Sequence, residues 1–130
     1  MGQVQAAKEL DEDTLDRRRR ALGEDHPLTL TTARNLAGDL RELGQIQAAR
    51  ELDEDTFARM RRVLGDDHPE TLKSANNLAR DLRELGQIQA ARELAEDTFA
   101  RMRRVLGDDH PETLKSANNL ALDLRELDEA

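Results

Sequence analysis

Three histidines, His26, His68 and His110, each follow an aspartate (Asp25, Asp67, Asp109) and precede a proline. Imidazole beside carboxylate can bind a divalent metal or move a proton. The copies recur every 42 residues, however, and packed helices would set successive copies on the order of 10 Å apart. Ligands of a single metal must all lie about 2 Å from it. The spacing therefore places these histidines at the starts of helices, and neither a metal nor another cofactor is expected. With no cysteine, no glycine-rich phosphate loop and no histidine–acid–nucleophile set at a unique place, the chain reads as a non-enzyme.

The run Arg17–Arg20 is the densest basic stretch, but Glu9, Asp11, Glu12, Asp13 and Asp16 precede it. It reads as a solvated helix end. A formal net charge of -8 argues against general nucleic-acid and anionic-membrane binding, both of which need clustered positive charge. Hydrogen-bonding chemistry is richer along Lys73, Asn76, Asn77, Arg80 and Glu84, which are spaced three, one, three and four residues apart. That is one face of a helix. The same row occurs as Thr31, Arg34, Asn35, Gly38 and Glu42, and again as Lys115, Asn118, Asn119, Leu122 and Glu126. An asparagine amide both donates and accepts, so it can pair with an extended backbone without demanding a side chain. Arg34, Lys73, Arg80 and Lys115 would favour acidic groups. The plainer alternative is a solvated face whose asparagines bond to neighbouring helices.

The elements that position these residues follow from an internal repeat. Residues 44–85 and 86–127 differ at two positions, Asp53/Ala95 and Arg80/Leu122, and residues 2–43 match 44–85 at 30 of 42 positions. The chain is read as one domain, 1–130, of three units. Each unit supplies two helices. The first kind opens at Gly-Asp-Asp-His-Pro-Glu-Thr (65–71), with Pro69 suited to a first helical turn and acids at the positive end of the dipole, and it runs to Leu85. The second kind runs from about Gln87 to Leu106, with acids early (Glu93, Glu96, Asp97) and arginines late (Arg101, Arg103, Arg104). Apolar stripes lie along both: Leu72, Ala75, Leu78, Ala79, Leu82 and Leu85 on the first, and Ile88, Ala91, Leu94, Thr98, Met102 and Val105 on the second. A lone hairpin cannot bury two stripes, so units must stack. The expected fold is an all-α solenoid of stacked antiparallel hairpins with six helices, starting in a second-kind helix (about 3–22) and ending in a first-kind helix (about 112–127).

The string LGDDHPETLKSANNLARDLRELGQIQAA at 64–91, which recurs from 106, resembles the tetratricopeptide repeat in its 42-residue form, as in kinesin light chains and many bacterial repeat proteins. The resemblance spans essentially the whole chain. It departs where Ala75 and Leu82 replace the large aromatics of 34-residue versions and Arg103 replaces a late-helix proline. The resemblance implies a protein-binding scaffold whose first-kind helices line a concave groove for an extended peptide. In this chain the groove residues would be Arg34, Asn35, Lys73, Asn76, Asn77, Arg80, Lys115, Asn118, Asn119 and Leu122.

Arg18 for Met60 and Met102, and Asp16 for Ala58 and Ala100, make the first helix polar, as a solenoid cap should be. They favour a monomer over the alternative function, a structural module that stacks head-to-tail through complementary half-hairpins. Recent duplication and consensus-style engineering account equally well for the near-identity of two units. No stretch is apolar enough for a signal peptide or membrane span, so a cytoplasmic protein is expected.

Overall fold

The computed structural model describes residues 2–129. Among them are six helices and no strand: α1 (Gly2–Leu22), α2 (Pro27–Glu42), α3 (Ile46–Leu64), α4 (Pro69–Glu84), α5 (Ile88–Leu106) and α6 (Pro111–Glu129). Each helix packs on the next in sequence, and α4 also packs on α6. This is the expected α-solenoid, with boundaries within two residues of those read from the repeat. No helix among the described residues is long and apolar enough to cross a membrane.

The histidines begin helices. His26 and His68 have extended backbones (ψ 137° and 135°) and cap α2 and α4. In all three copies Nδ1 accepts the backbone N–H two residues on, from Leu28, Glu70 and Glu112 at 3.1 Å. That satisfies one of the N–H groups a helix start leaves without a partner, and the following proline has no N–H to satisfy. The adjacent aspartates tie the open end of each hairpin. Asp25 accepts from Arg59 and Arg62 of α3 (2.9 and 3.1 Å), and Asp67 accepts from Arg101 and Arg104 of α5 (2.8 and 3.1 Å). The hydrogen bond from Arg59 is the main cause that holds the Asp25 carboxyl below its ordinary range, and Arg101 does the same for Asp67. The other end of the hairpin closes in a tight turn. Gly86 sits at φ +83°, its N–H donates to Arg83 O (3.0 Å), and Gln87 N–H donates to Leu82 O (2.9 Å). This pairing, which the Gly44 turn repeats, needs a left-handed residue that glycine supplies without steric cost.

Between these ends the stripes meet. Leu36, Ala37 and Leu40 pack with Ala49 and Leu52, and one repeat on Leu78 and Leu82 pack with Ala91, Phe57 and Leu94. Alanines 37, 49, 79, 91 and 95 are fully buried, which lets neighbouring backbones approach closely. One stripe position is corrected: Val105 is exposed, as is Val63. A helical turn of 3.6 residues from Met102 falls between 105 and 106, and Leu106 takes the more buried place. Ala95, absent from the expected stripe, joins the core instead.

Because each hairpin buries its faces against the next, stability should grow with the number of hairpins. A variant ending at Leu85 should melt lower than the full chain by roughly 10 °C or more in a thermal scan followed by circular dichroism. An unchanged midpoint would mean that the hairpins are stable singly.

Candidate functional site

One side of α4 and α6 forms a groove of about 660 Å³. Its lining brings together eight of the ten expected residues: Arg34 from α2, Lys73, Asn76, Asn77 and Arg80 from α4, and Lys115, Asn118 and Asn119 from α6. Asn35 and Leu122 lie outside the lining. Arg83, Glu84 and Glu112 complete it. Of these, Glu84 belongs to the polar row, whereas Arg83 and Glu112 lie outside it. The signal for Arg83 was its recurrence as Arg41 and Arg125, which ordinary charge patterning on an exposed face conceals.

The side chains are not equally free. Arg34 donates to Glu70 across the α2–α4 boundary (2.9 Å), and Lys73 pairs with the same carboxylate (3.2 Å). Burial raises the Glu70 pKa, but Arg34 and Lys73 outweigh it and hold the carboxyl below its ordinary range. Lys115 pairs with Glu112 at 3.3 Å and Arg80 with Glu84 at 3.5 Å. Asn76 is 5% exposed, and its amide nitrogen points at the Met102 sulfur at 3.6 Å. It therefore serves the α4–α5 interface as much as the groove. Asn119 Oδ1 accepts from Arg83 at 3.4 Å. Asn77 is half-buried and Asn118 exposed, both on the groove wall.

Where α2, α3 and α4 meet lies a constellation that periodicity did not reveal. Arg41, in the last turn of α2, donates to Asp53 of α3 (2.9 Å) and to Asp81 of α4 (2.7 Å). Both carboxylates are fully buried. One guanidinium thus joins its own hairpin to the next. Burial, and then the neighbouring Asp81, push the Asp53 carboxyl up to about 9 despite Arg41. One repeat on, Arg83 faces Asp123 (3.5 Å) with Ala95 in the place of Asp53. One repeat back, Asp11 and Asp39 meet with no arginine between them, and burial followed by Asp11 raises Asp39 to about 6.

Repeating hairpins that stack through buried side chains, with a polar groove along one helix set, define an α-solenoid binding scaffold. The tetratricopeptide repeat model matches residues 1–61 and 31–103, so the chain belongs to the tetratricopeptide repeat family. No curated protein matches it by sequence. Among solved structures it is similar to a putative kinesin light chain from Podosopora anserina with nearly identical TPR-like repeats. The match is 37% identical, with a TM-score of 0.88, and covers 94% of this chain and 58% of that one. A singly substituted form of that protein gives a TM-score of 0.89 at the same identity, covering 94% and 57%. BtubC (BKLC) from P. vanneervenii shares the fold at 19% identity, with a TM-score of 0.84, covering 96% of this chain and 49% of that one. The chain thus spans between about half and three fifths of the length of these structures.

An acid held protonated in the fold stabilises it fully only below its unfolded pKa, about 3.9 for aspartate. That contribution fades as pH rises toward the folded value. With Asp53 at about 9 and Asp39 at about 6, stability should fall between pH 5 and pH 8. Asp53→Asn keeps an acceptor for Arg41 but removes the titration. Urea denaturation should show a clearly smaller loss over that interval in the variant; equal losses would contradict a proton held on Asp53.

Proposed function

We propose that the chain is a non-catalytic scaffold that holds an extended acidic peptide or protein segment in the α4–α6 groove, in a cytoplasmic setting. The observation that carries this reading is electrostatic. The groove is lined by five cationic side chains (Arg34, Lys73, Arg80, Arg83, Lys115) against two carboxylates (Glu84, Glu112), on a chain whose net charge is -8. A cationic strip on an acidic protein favours acidic segments and repels basic ones. Asn77 and Asn118 add amides able to donate to and accept from a peptide backbone. The family's general role in protein interaction supports the same reading. Arg34 and Lys73 already share Glu70, so an incoming carboxylate competes for them and affinity is modest.

A fluorescently labelled acidic peptide of extended sequence should bind in an anisotropy titration, whereas its lysine-substituted counterpart should not. Lys73→Ala with Lys115→Ala, and Asn77→Ala with Asn118→Ala, should each weaken binding by about tenfold, near 1.4 kcal/mol. Equal binding of acidic and basic peptides, or indifference to both double variants, would overturn the assignment.

A further inference from the structure

The repeat sets a pattern of contacts between one helix and the next two, and among the described residues α1, α2 and α6 carry halves of that pattern whose counterparts lie on one another. Inside the stack, Leu40 and Arg41 near the end of α2 meet two elements. Leu40 packs in the cluster that includes Leu52 of α3, and Arg41 reaches Asp53 of α3 and Asp81 of α4. One repeat earlier, the positions of Leu52, Asp53 and Asp81 are occupied by Leu10, Asp11 and Asp39. One repeat later, the positions of Leu82 and Arg83 are occupied by Leu124 and Arg125. Leu40 and Leu82 are each 8% exposed, whereas Leu124 is 48% and Leu10 69% exposed. Asp39 Oδ2 is buried without a hydrogen-bond partner, and Arg125 is exposed.

We propose that α6 of one copy docks on α1 and α2 of a second copy of this chain, with Arg125 entering between Asp11 and Asp39 and Leu124 covering Leu10. The occupant is specified twice, by charge and by shape. Two carboxylates facing each other without a cation are matched by the arginine that the repeat places there, and the two exposed leucines correspond to Leu40, which is buried, and Leu52, which is partly buried in the same cluster. Leu114, 55% exposed, gains cover in the same step, since its counterpart Leu72 is 2% exposed. The polar residues of α1 do not block this face. Arg18 turns onto α2, donating to Leu28 O (3.0 Å) and Thr32 Oγ1 (2.7 Å). Asp16 is held by Arg20 at 2.6 Å, at a position whose counterparts Ala58 and Ala100 are exposed even between packed helices. The contact joins unlike surfaces, so it propagates from copy to copy.

Sedimentation of the intact chain over a concentration series should show an average mass rising above 14.7 kDa. Leu10→Glu and Leu124→Glu alter exposed side chains and should each remain helical and monomeric alone. Mixed in equal amounts they should form a two-chain species and nothing larger, because one retains a free α6 and the other a free α1–α2 face. Arg125→Ala should weaken association of the otherwise unaltered chain by about tenfold or more. A constant monomer mass for the unaltered chain, a mixture that stays monomeric, or association unchanged by both glutamate variants would overturn the proposal. Peptide binding in the groove can fail or succeed independently of these results.

Discussion

A single guanidinium shared by two buried carboxylates on two different helices constrains how one hairpin sits on the next. Arg41 leaves α2, pairs with Asp53 of its own hairpin and reaches Asp81 of the following one. Removing one arginine and two aspartates from water is costly even with Asp53 protonated, and hydrogen bonding and charge attraction offset this only when the geometry is correct. A shift of α4 along α2 would strand Asp81 in a dry interior, so the bridge penalises wrong registers more than it rewards the right one. The alanine-rich apolar seams are permissive by comparison, since small side chains at 37, 79 and 91 tolerate sliding. Leucine and alanine supply the drive to stack, and the buried ions supply its register.

The variation of this bridge along the chain is informative. In the middle it is complete, with two acids and one base. At Arg83 it is lightened, because Ala95 replaces the acid on the second helix and Arg83 turns also to Asn119, taking part in the groove wall. Between α1 and α2 only the acids remain. The same side-chain ladder therefore differs between the interior, the groove wall and the first two helices, although residues 44–85 and 86–127 repeat almost without change.

Much of the fold was legible because helix punctuation is local. His68-Pro69 and Gly86 announce a start and a stop through backbone groups within a few residues, and the leucine–alanine stripes carry their own period. The groove was partly legible for the same reason: Lys73, Asn77 and Arg80 share a face by spacing alone. What spacing concealed was depth. Asn76 and Asn77 are adjacent in sequence, yet only the three-dimensional packing of Met102 decides that the first is buried. Asp53 and Asp81 look like ordinary solvated acids on charged helices, and the burial of Asp81 follows from a neighbouring unit 40 residues from Arg41. Val105 faces outward for a narrower reason, since a fractional turn gives Leu106 an equal claim to the inward position.

The register role of the bridge is tested most directly by urea denaturation of Arg41→Met beside the triple variant Arg41→Met, Asp53→Leu, Asp81→Leu. The single change leaves the buried Asp53–Asp81 pair without its cation and should cost about 3–5 kcal/mol, whereas the triple change removes all three ionisable groups and should recover most of that loss. A single variant within about 0.5 kcal/mol of the unaltered chain, the range of ordinary surface substitutions, would show that the stack does not depend on this arginine.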